Sequence, residues 1–432
     1  MNRPSAICYP SVLSGTVAAI PSKSDLHRKL ICAALSENGG FLPVKPPFCD
    51  DIAATIRCLS ALGATVSECE NGLRIRPIQR VSQADLDCGE SGSTLRFLIP
   101  VAMTVCDDVS FTGHGRLPER PIDALTAAMS ANGVHFFDAK LPLRAIGSLQ
   151  GGVFEIPGNV SSQFLSGLLM ALPLCDSDSE IHLTTPLKSA SYVEMTLQTL
   201  REFGIEIVED TSDLMPVYKI AGNQVYRMPS DLTVDGDWSN AAFWLVAGAI
   251  QQAPDASITV TNLNFDSTQG DRAVKTILQN AGAEIDAHGH ALSVVRGQIR
   301  SIDVSMDPIP DLLPILAVLA SFADGTSHFT DAARLRLKES DRLASVYAML
   351  SSMGGHVEEL SDDLIVYNST LRGGCVDAQN DHRLVMAAAI AASCAGDAVT
   401  ILDADAVNKS YPTFFQDYIA LGGKVDFKEF EI

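Results

Sequence analysis

The sequence predicts an α/β protein of two domains, each assembled from three similar units. Two observations carry this expectation. An apolar helical run followed by glycine and a strand-like pair occurs six times, as "LSALGATV", "MSANGVHF", "LREFGIEI", "LQNAGAEI", "LSSMGGHV" and "YIALGGKV". Its glycines, Gly63, Gly133, Gly204, Gly282, Gly354 and Gly422, lie 68 to 78 residues apart. That spacing exceeds a solenoid repeat of about 20–50 residues and suits about two strand–helix units.

Each unit then justifies itself in order. A glycine after the last apolar position is a helix stop, because it enters the left-handed region without a Cβ clash. A second helix precedes each echo: "SDLHRKLICAAL", "STLRFLIPVAM", "SSQFLSGLLMALP", "WSNAAFWLVAGAI", "DLLPILAVLASFA" and "NDHRLVMAAAIAAS". The last three are apolar nearly all round, as buried helices are. The connection between the third and fourth units is expected at 228–236, "MPSDLTVDG", where Pro, Gly and Asp accumulate. The expected division is residues 15–230 against 231–432, with 1–14 joining the second domain.

The 432 residues are too many for one ordinary core. Hydrophobic residues at 47% and charged residues at 19% give a globular composition. A formal net charge of −21 argues against a nucleic-acid binder, which needs a basic face for phosphates. A local basic pocket for an anionic small molecule remains compatible with it. The ten cysteines form no C-x-x-C pair and read as small buried hydrophobes in a reducing compartment. The N-terminus has no signal-peptide apolar stretch, and runs such as "AAFWLVAGAI" are too short to span a bilayer. A cytoplasmic, monomeric protein that binds neither membrane nor nucleic acid is expected.

Against that acidic background, "RLRLKESDR" (334–342) gathers four cations. Arg334, Arg336 and Lys338 alternate with Leu335 and Leu337 at strand period. Leu343, Val346, Leu350 and Met353 then step at helical spacing. The reading puts Lys338 and Glu339 at a strand end and Arg342 in the first helical turn. A cation there opposes the helix dipole unless an anion intervenes. The bland alternative is a solvated helix start with Glu339, Asp341 and Arg342 paired on the surface.

Four more helix starts carry hydroxyls or cations: "PSKSDLHR" with Ser22, Lys23, Ser24 and Arg28; "CGESGSTLRF" with Gly92, Ser93, Thr94 and Arg96; "GNVSSQFLSG" with Ser161, Ser162 and Gln163; and "QNDHRLVMA" with Asp381, His382 and Arg383. Each alone is capping chemistry. Together they suggest repeated helix ends that bind oxyanions, enclosing a cleft where two such domains face each other. Neither a G-x-x-x-x-G-K-[ST] loop nor G-x-G-x-x-G, H-E-x-x-H or G-x-S-x-G occurs, so no nucleotide loop or metal motif supplies the anion site.

Here the sequence resembles the 5-enolpyruvylshikimate-3-phosphate synthases (3-phosphoshikimate 1-carboxyvinyltransferases) of the enolpyruvyl transferase family. The resemblance spans nearly the whole chain, on "PSKSDLHR", "CGESGSTLRF", "LPERPIDAL", "SSQFLSGLLMALP", "DWSNAAFWLVAGA", "PDLLPILAVLA", "RLRLKESDRL", "NDHRLVMA" and "VNKSYPTFF" in family order. It implies two inside-out α/β domains of three βαβαββ units each, with the active site in the interdomain cleft. It also implies a transferase of the shikimate pathway, on the route to chorismate and the aromatic amino acids. The enolpyruvyl group of phosphoenolpyruvate passes to the 5-hydroxyl of shikimate 3-phosphate through a tetrahedral intermediate, with no metal or organic cofactor.

Position by position, the resemblance assigns Lys23, Ser24, Arg28, Ser161, Ser162, Gln163, Ser189 and Tyr192 to shikimate 3-phosphate, joined by Asp311 and Lys338. It assigns Lys23, Gly92, Arg120, Gln163, Arg342, Arg383 and Lys409 to phosphoenolpyruvate. Asp311 is implied as base at the 5-hydroxyl, and Lys338 and Glu339 as the acid–base pair at the enol, with Lys23 also counted as catalytic. The chain departs from the family pattern at Glu90-Ser91, where many members have Asn-Ala, at Phe97, where some have Pro, and at Arg334, where some have Asn. Two other readings compete with this one. An enolpyruvyl transferase acting on UDP-N-acetylglucosamine often carries a lid cysteine, which "GHGRLPERPIDAL" lacks. A non-catalytic anion-binding protein leaves Lys338, Glu339 and Asp311 unexplained.

Overall fold

The computed structural model describes residues 2–211 and 215–431. The chain separates into two compact units, residues 23–234 and residues 1–22 with 235–432. The return crossing falls inside the 228–236 stretch. The first crossing falls at Ser22/Lys23, later than the expected 14/15. The reason is local: Gly15–Ala18 pairs in parallel with Ser257–Thr261 and so stays with the unit that holds the chain termini.

In the 23–234 unit the helices are α1 (Lys23–Leu35), α2 (Asp50–Ala61), α3 (Gly92–Val105), α4 (Asp123–Ser130), α5 (Ser162–Ala171) and α6 (Ala190–Glu202). In the other unit they are α7 (Trp238–Ile250), α8 (Val274–Ala281), α9 (Leu313–Ser321), α10 (Arg342–Ser352), α11 (His382–Ser393) and α12 (Phe414–Ala420). One plan recurs. In four of the six sheets a strand, an odd-numbered helix and a parallel strand are followed by an even-numbered helix and an antiparallel hairpin, whereas Gly40–Leu42, Gly72–Arg76 and Thr65–Cys69 form a three-stranded antiparallel sheet. Ala84–Asp87 and Asp108–Thr112 lie parallel around α3. Leu143–Gly147 then pairs antiparallel to Asp108–Thr112, with Val134–Phe136 outside it. The sheets holding Val153–Pro157, Ser257–Thr261 and Asp303–Ser305 share this order. In the last repeat the N-terminal strand Asn2–Tyr9 fills the third place in the sheet, between Val399–Leu402 and Lys424–Glu431.

The odd-numbered helices are the interior. Every residue of α9 and α11 is buried, and α7, α9 and α11 pack on one another. Fully burying each leucine of α9 contributes roughly 1.5–3 kcal/mol. The even-numbered helices cover the sheets with one apolar face, as α2 does through Ile52, Thr55, Cys58 and Leu59. Each ends at its echo glycine, and all six glycines have φ between 79° and 101°. In the 23–234 unit α3 and α5 approach closely at Gly167. A Cβ there would lie 2.5 Å from the Arg96 carbonyl oxygen and 3.0 Å from Pro100 Cγ.

Three expectations are corrected. Residues 333–337 form a 3-10 helix, not a strand, after a left-handed turn at Asp331. The alternation misled because Leu335 is buried while Leu337 is half-exposed, and Arg336 folds back onto Asp341 and Glu359. Second, Cys69 and Cys375 are exposed, unlike most of the other cysteines. Third, the start of α10 is not solvated: Arg342 is fully buried. Among the described residues no helix is long and apolar enough to cross a membrane.

Candidate active site

The predicted residues gather into a cluster on each unit. In the unit holding the termini, Asp311 sits in the 3-10 turn Pro310–Leu312 that leads into α9. Its Oδ1 accepts from Arg342 Nη1 at 2.7 Å and Lys338 Nζ at 3.3 Å, and its Oδ2 accepts from Arg383 Nη2 at 3.2 Å. Arg342 opens α10. It also donates to Glu339 Oε2 at 2.7 Å and through Nε to Asp381 Oδ2 at 3.0 Å. The anion that its position demands is therefore supplied by the protein's own carboxylates. Burial works against the charged guanidinium, but Asp381, Glu339 and Asp311 together carry its proton affinity above the ordinary arginine value.

Asp381 is fully buried and holds three partners. It caps α11 through the Arg383 amide at 2.9 Å and accepts from Ser340 Oγ at 3.0 Å as well as from Arg342. The two residues before it, Gln379 and Asn380, both occupy the left-handed region, at φ 50° and 56°. Hydrogen bonds from their amides to Asp377 and Asp403 hold them there. Consecutive non-glycine residues in this region are uncommon and mark a place where surrounding structure enforces a conformation. The strain turns the Asn380 carbonyl toward Lys409, whose Nζ donates to it at 2.8 Å from the 3-10 helix Ala404–Lys409.

In the 23–234 unit, Lys23 at the start of α1 pairs with Asp51 Oδ2 at 2.7 Å. Arg28, one turn later, is buried and among the described residues forms no ion pair with a carboxylate. It donates to Thr196 Oγ1 at 2.7 Å, the Ser24 carbonyl at 2.6 Å and the Tyr192 carbonyl at 2.9 Å, and lies 5.0 Å over the Phe97 ring. Burial lowers its proton affinity, to about 10, with Asp25 opposing. Its hydrogen bonds tie α1 to the start of α6, where Ser189 caps the helix in the left-handed region at φ 54°. Ser161 caps α5 and accepts from the Gln163 amide, with the buried Ser162 between them. The Gln163 side chain donates to Ser93 Oγ at 2.9 Å and accepts from Arg96 Nη1 at 2.8 Å. Arg120 lies against Gly92, where a Cβ would come within 2.6 Å of its Nη1.

Beneath this surface the neutral His27, its proton affinity pushed far down by burial and then by Lys23 and Arg28, starts a buried relay. His27 Nδ1, Thr55, Thr94 and Ser91 follow at 2.8, 2.7 and 2.8 Å, linking α1, α2 and the start of α3. The departures from the family pattern join this support. Ser91 caps α3 by accepting from the Thr94 amide, Phe97 floors Arg28, and Arg334 pairs with Asp307 at 3.0 Å. Glu90 lies 3.6 Å from His114.

The family model described as EPSP synthase (3-phosphoshikimate 1-carboxyvinyltransferase) matches residues 8–418. The chain belongs to the EPSP synthase family. The 3-phosphoshikimate 1-carboxyvinyltransferase of Clostridium kluyveri is 40% identical over 422 residues, covering 96% of this chain and 97% of that one. The protein of the same name from Clostridioides difficile is 40% identical over 435 residues, covering 97% of each. Among solved structures, EPSP synthase from Acinetobacter baumannii matches with a TM-score of 0.80 at 22% identity, covering 98% of this chain and 100% of that one. The enolpyruvyl transferase NikO from Streptomyces tendae matches with a TM-score of 0.80 at 16% identity, each chain covered in full. These two likenesses establish the fold.

Within this EPSP synthase family member, two acidic side chains near these clusters carry no signal in the sequence. Arg96 and Asp381, by contrast, are among the helix-start residues that the sequence marks. Asp51 pairs with Lys23 across two helices, and Asp271 lies in the short Gly270–Ala273 3-10 turn. Neither has a local pattern that separates it from an ordinary surface acid.

Proposed function

We propose that Asp311, Lys338 and Glu339 move the protons of the EPSP synthase reaction in this chain. The activity is transfer of the enolpyruvyl group of phosphoenolpyruvate to the 5-hydroxyl of shikimate 3-phosphate, with release of phosphate. Asp311 takes the hydroxyl proton as that oxygen bonds to the central carbon of phosphoenolpyruvate. The methylene carbon gains a proton from the Lys338–Glu339 pair. The tetrahedral adduct then loses phosphate, which carries off the proton that Asp311 took, and returns one methyl proton to the Lys338–Glu339 pair. The observation that carries this reading is the convergence of Lys338 and Arg342, from one stretch, and Arg383, from another, on the two oxygens of Asp311. Fixing the carboxylate plane in this way is what a base at one defined oxygen requires.

Arg120, Arg342, Arg383 and Lys409, with Lys23, Gln163 and Gly92, are the proposed phosphoenolpyruvate site. Ser24, Arg28, Ser161, Ser162, Gln163, Ser189 and Tyr192, with Lys23, Asp311 and Lys338, are the proposed shikimate 3-phosphate site. An incoming anion competes with Asp311 and Glu339 for Arg342, so substrate binding and base release are linked. The proposed working form is a cytoplasmic monomer without cofactor.

The test is phosphate release from phosphoenolpyruvate, offered shikimate 3-phosphate or UDP-N-acetylglucosamine. Release with the first alone is expected. Release with the second alone would overturn the substrate. Glu339→Gln keeps an acceptor for Arg342 and is expected to lower kcat by about 10²–10⁴-fold, the usual worth of a general acid–base group. Unchanged kcat in that variant would remove Glu339 from the chemistry.

A further inference from the structure

Asp271 lies behind the Asp311 cluster and has no part in the chemistry described above. It is 2% exposed. One oxygen, Oδ2, accepts from Ser239 Oγ in the first turn of α7, and the other, Oδ1, is buried with no hydrogen-bond partner among the described residues. An ionised carboxylate in such a place would leave two or three acceptor sites unsatisfied, whereas a neutral acid is served by one partner. The groups that face it are Asp311 from the turn before α9, Arg383 from α11 and Asp237, which caps α7. Arg272, on the same 3-10 turn, is directed to the Phe265 carbonyl. Burial, then the Asp311 charge, raise the Asp271 proton affinity to about 7, with Arg383 and Ser239 opposing.

We propose that Asp271 is a positioning residue for the reaction: held neutral, it leaves Arg383 to Asp311 and the phosphoenolpyruvate site, and once ionised it draws Arg383 away. The proposal rests on the assignment of Asp311 and Arg383 to the active site. The physics is a competition between two acids for one nearby cation. Arg383 Nη2 reaches Asp311 Oδ2 at 3.2 Å, an ion pair long enough to be redirected. A second buried carboxylate close by would both attract that guanidinium and, by like-charge repulsion, raise the proton affinity of Asp311. Catalysis would then carry a neutral-range ionisation that belongs to a residue touching no substrate.

The experiment is the pH dependence of KM for phosphoenolpyruvate, over about pH 5.5 to 8.5, in the wild type, Asp271→Asn and Ser239→Ala. Asparagine mimics the neutral acid. In the wild type KM should rise several-fold through the neutral range, beyond the change due to phosphate titration of the substrates. In Asp271→Asn that excess should vanish. In Ser239→Ala, which strips the remaining partner, it should move to higher pH. Infrared difference spectra across the same range should show the carbonyl stretch of a neutral carboxyl that Asp271→Asn lacks. Superimposable KM profiles in wild type and Asp271→Asn would overturn the proposal. So would a loss of activity in Asp271→Asn equal at every pH, which is the mark of a purely structural residue. Asp311→Asn separates the two readings. If it keeps turnover, the base assignment fails, while a pH-dependent KM that disappears in Asp271→Asn still reports the hold on Arg383.

Discussion

Gly92 shows how one absent methyl group shapes the site. Its backbone is the first turn of α3, and the Arg120 guanidinium rests where a Cβ would be, 2.6 Å from Nη1. Gly92→Ala must move that side chain by several tenths of an ångström, and Arg120 is a flexible group able to move. Folding should therefore be retained while the proposed anion clamp is displaced. The expected result is a KM for phosphoenolpyruvate raised about tenfold or more, with a smaller change in kcat, because a shifted binding cation weakens ground and transition states alike. Steady-state kinetics with saturating shikimate 3-phosphate would show it, and an unchanged KM would mean that Arg120 does not hold this substrate.

Asp271 also carries a stability consequence with a definite sign. Its folded-state proton affinity lies above the free aspartate value, so the folded protein holds a proton that the unfolded chain releases first. The stabilisation from that proton is fully present below about pH 4 and is lost as pH rises to about 7. Asp271→Asn has no such loss. The melting temperature of the variant relative to wild type should therefore climb between about pH 4 and 7, by an amount equivalent to at most about 4 kcal/mol, and stay level above it. Thermal unfolding in a pH series measures this. A difference that fell with pH would reverse the assigned protonation state.

At the scale of elements, the repeat was legible because its punctuation is covalent and local. Six glycines end six helices, and each has the left-handed φ that their position after an apolar run foretells. The wholly apolar helices were legible for the same reason, since a helix with no polar face has only an interior to occupy. The 3-10 helix at 333–337 was not, because alternation of Arg and Leu records residue types, while burial of Leu335 and exposure of Leu337 depend on what lies beside them. The pairing of Gly15–Ala18 with Ser257–Thr261 was equally hidden, being a contact between segments more than two hundred residues apart. In the site, helix-start residues could be named one by one, yet that Asp311 collects three cations is a fact of tertiary assembly. The contact of α3 with α5 gives a test at this scale. Gly167→Ala places a methyl 2.5 Å from a backbone oxygen, which cannot turn aside as a side chain can. The two helices must separate, and overpacking of this kind costs about 1–3 kcal/mol. Because Arg96 and Gln163 meet across the same helix pair, KM for both substrates should rise together in this variant. Denaturant unfolding combined with kinetics checks both parts, and a destabilised variant with unaltered KM would uncouple the helix contact from the site.

For the whole molecule, the division into units sets how ligands are felt. Each unit has its own large apolar core, one built on α7, α9 and α11, the other on α1, α3 and α5. Most residues proposed for shikimate 3-phosphate belong to residues 23–234, whereas Asp311, Lys338, Arg342, Arg383 and Lys409 belong to the other unit. Separate cores allow separate cooperative opening, with core amides exchanging only when their own unit unfolds. A ligand at 100 times its Kd stabilises the form it binds by about 2.7 kcal/mol, or about 100-fold in the opening constant. Shikimate 3-phosphate alone should therefore slow hydrogen exchange about 100-fold in the cores of α3 and α5, and much less in α7 and α9. Phosphoenolpyruvate draws three of its seven proposed ligands, Arg342, Arg383 and Lys409, from the other unit, and an unreactive analogue added to that complex should extend the slowing to the starts of α10 and α11. Hydrogen-exchange mass spectrometry resolves these segments. Equal slowing of both cores by shikimate 3-phosphate alone would mean that the two units open as one, and the assignment of ligand contacts by unit would then have to be sought by mutation instead.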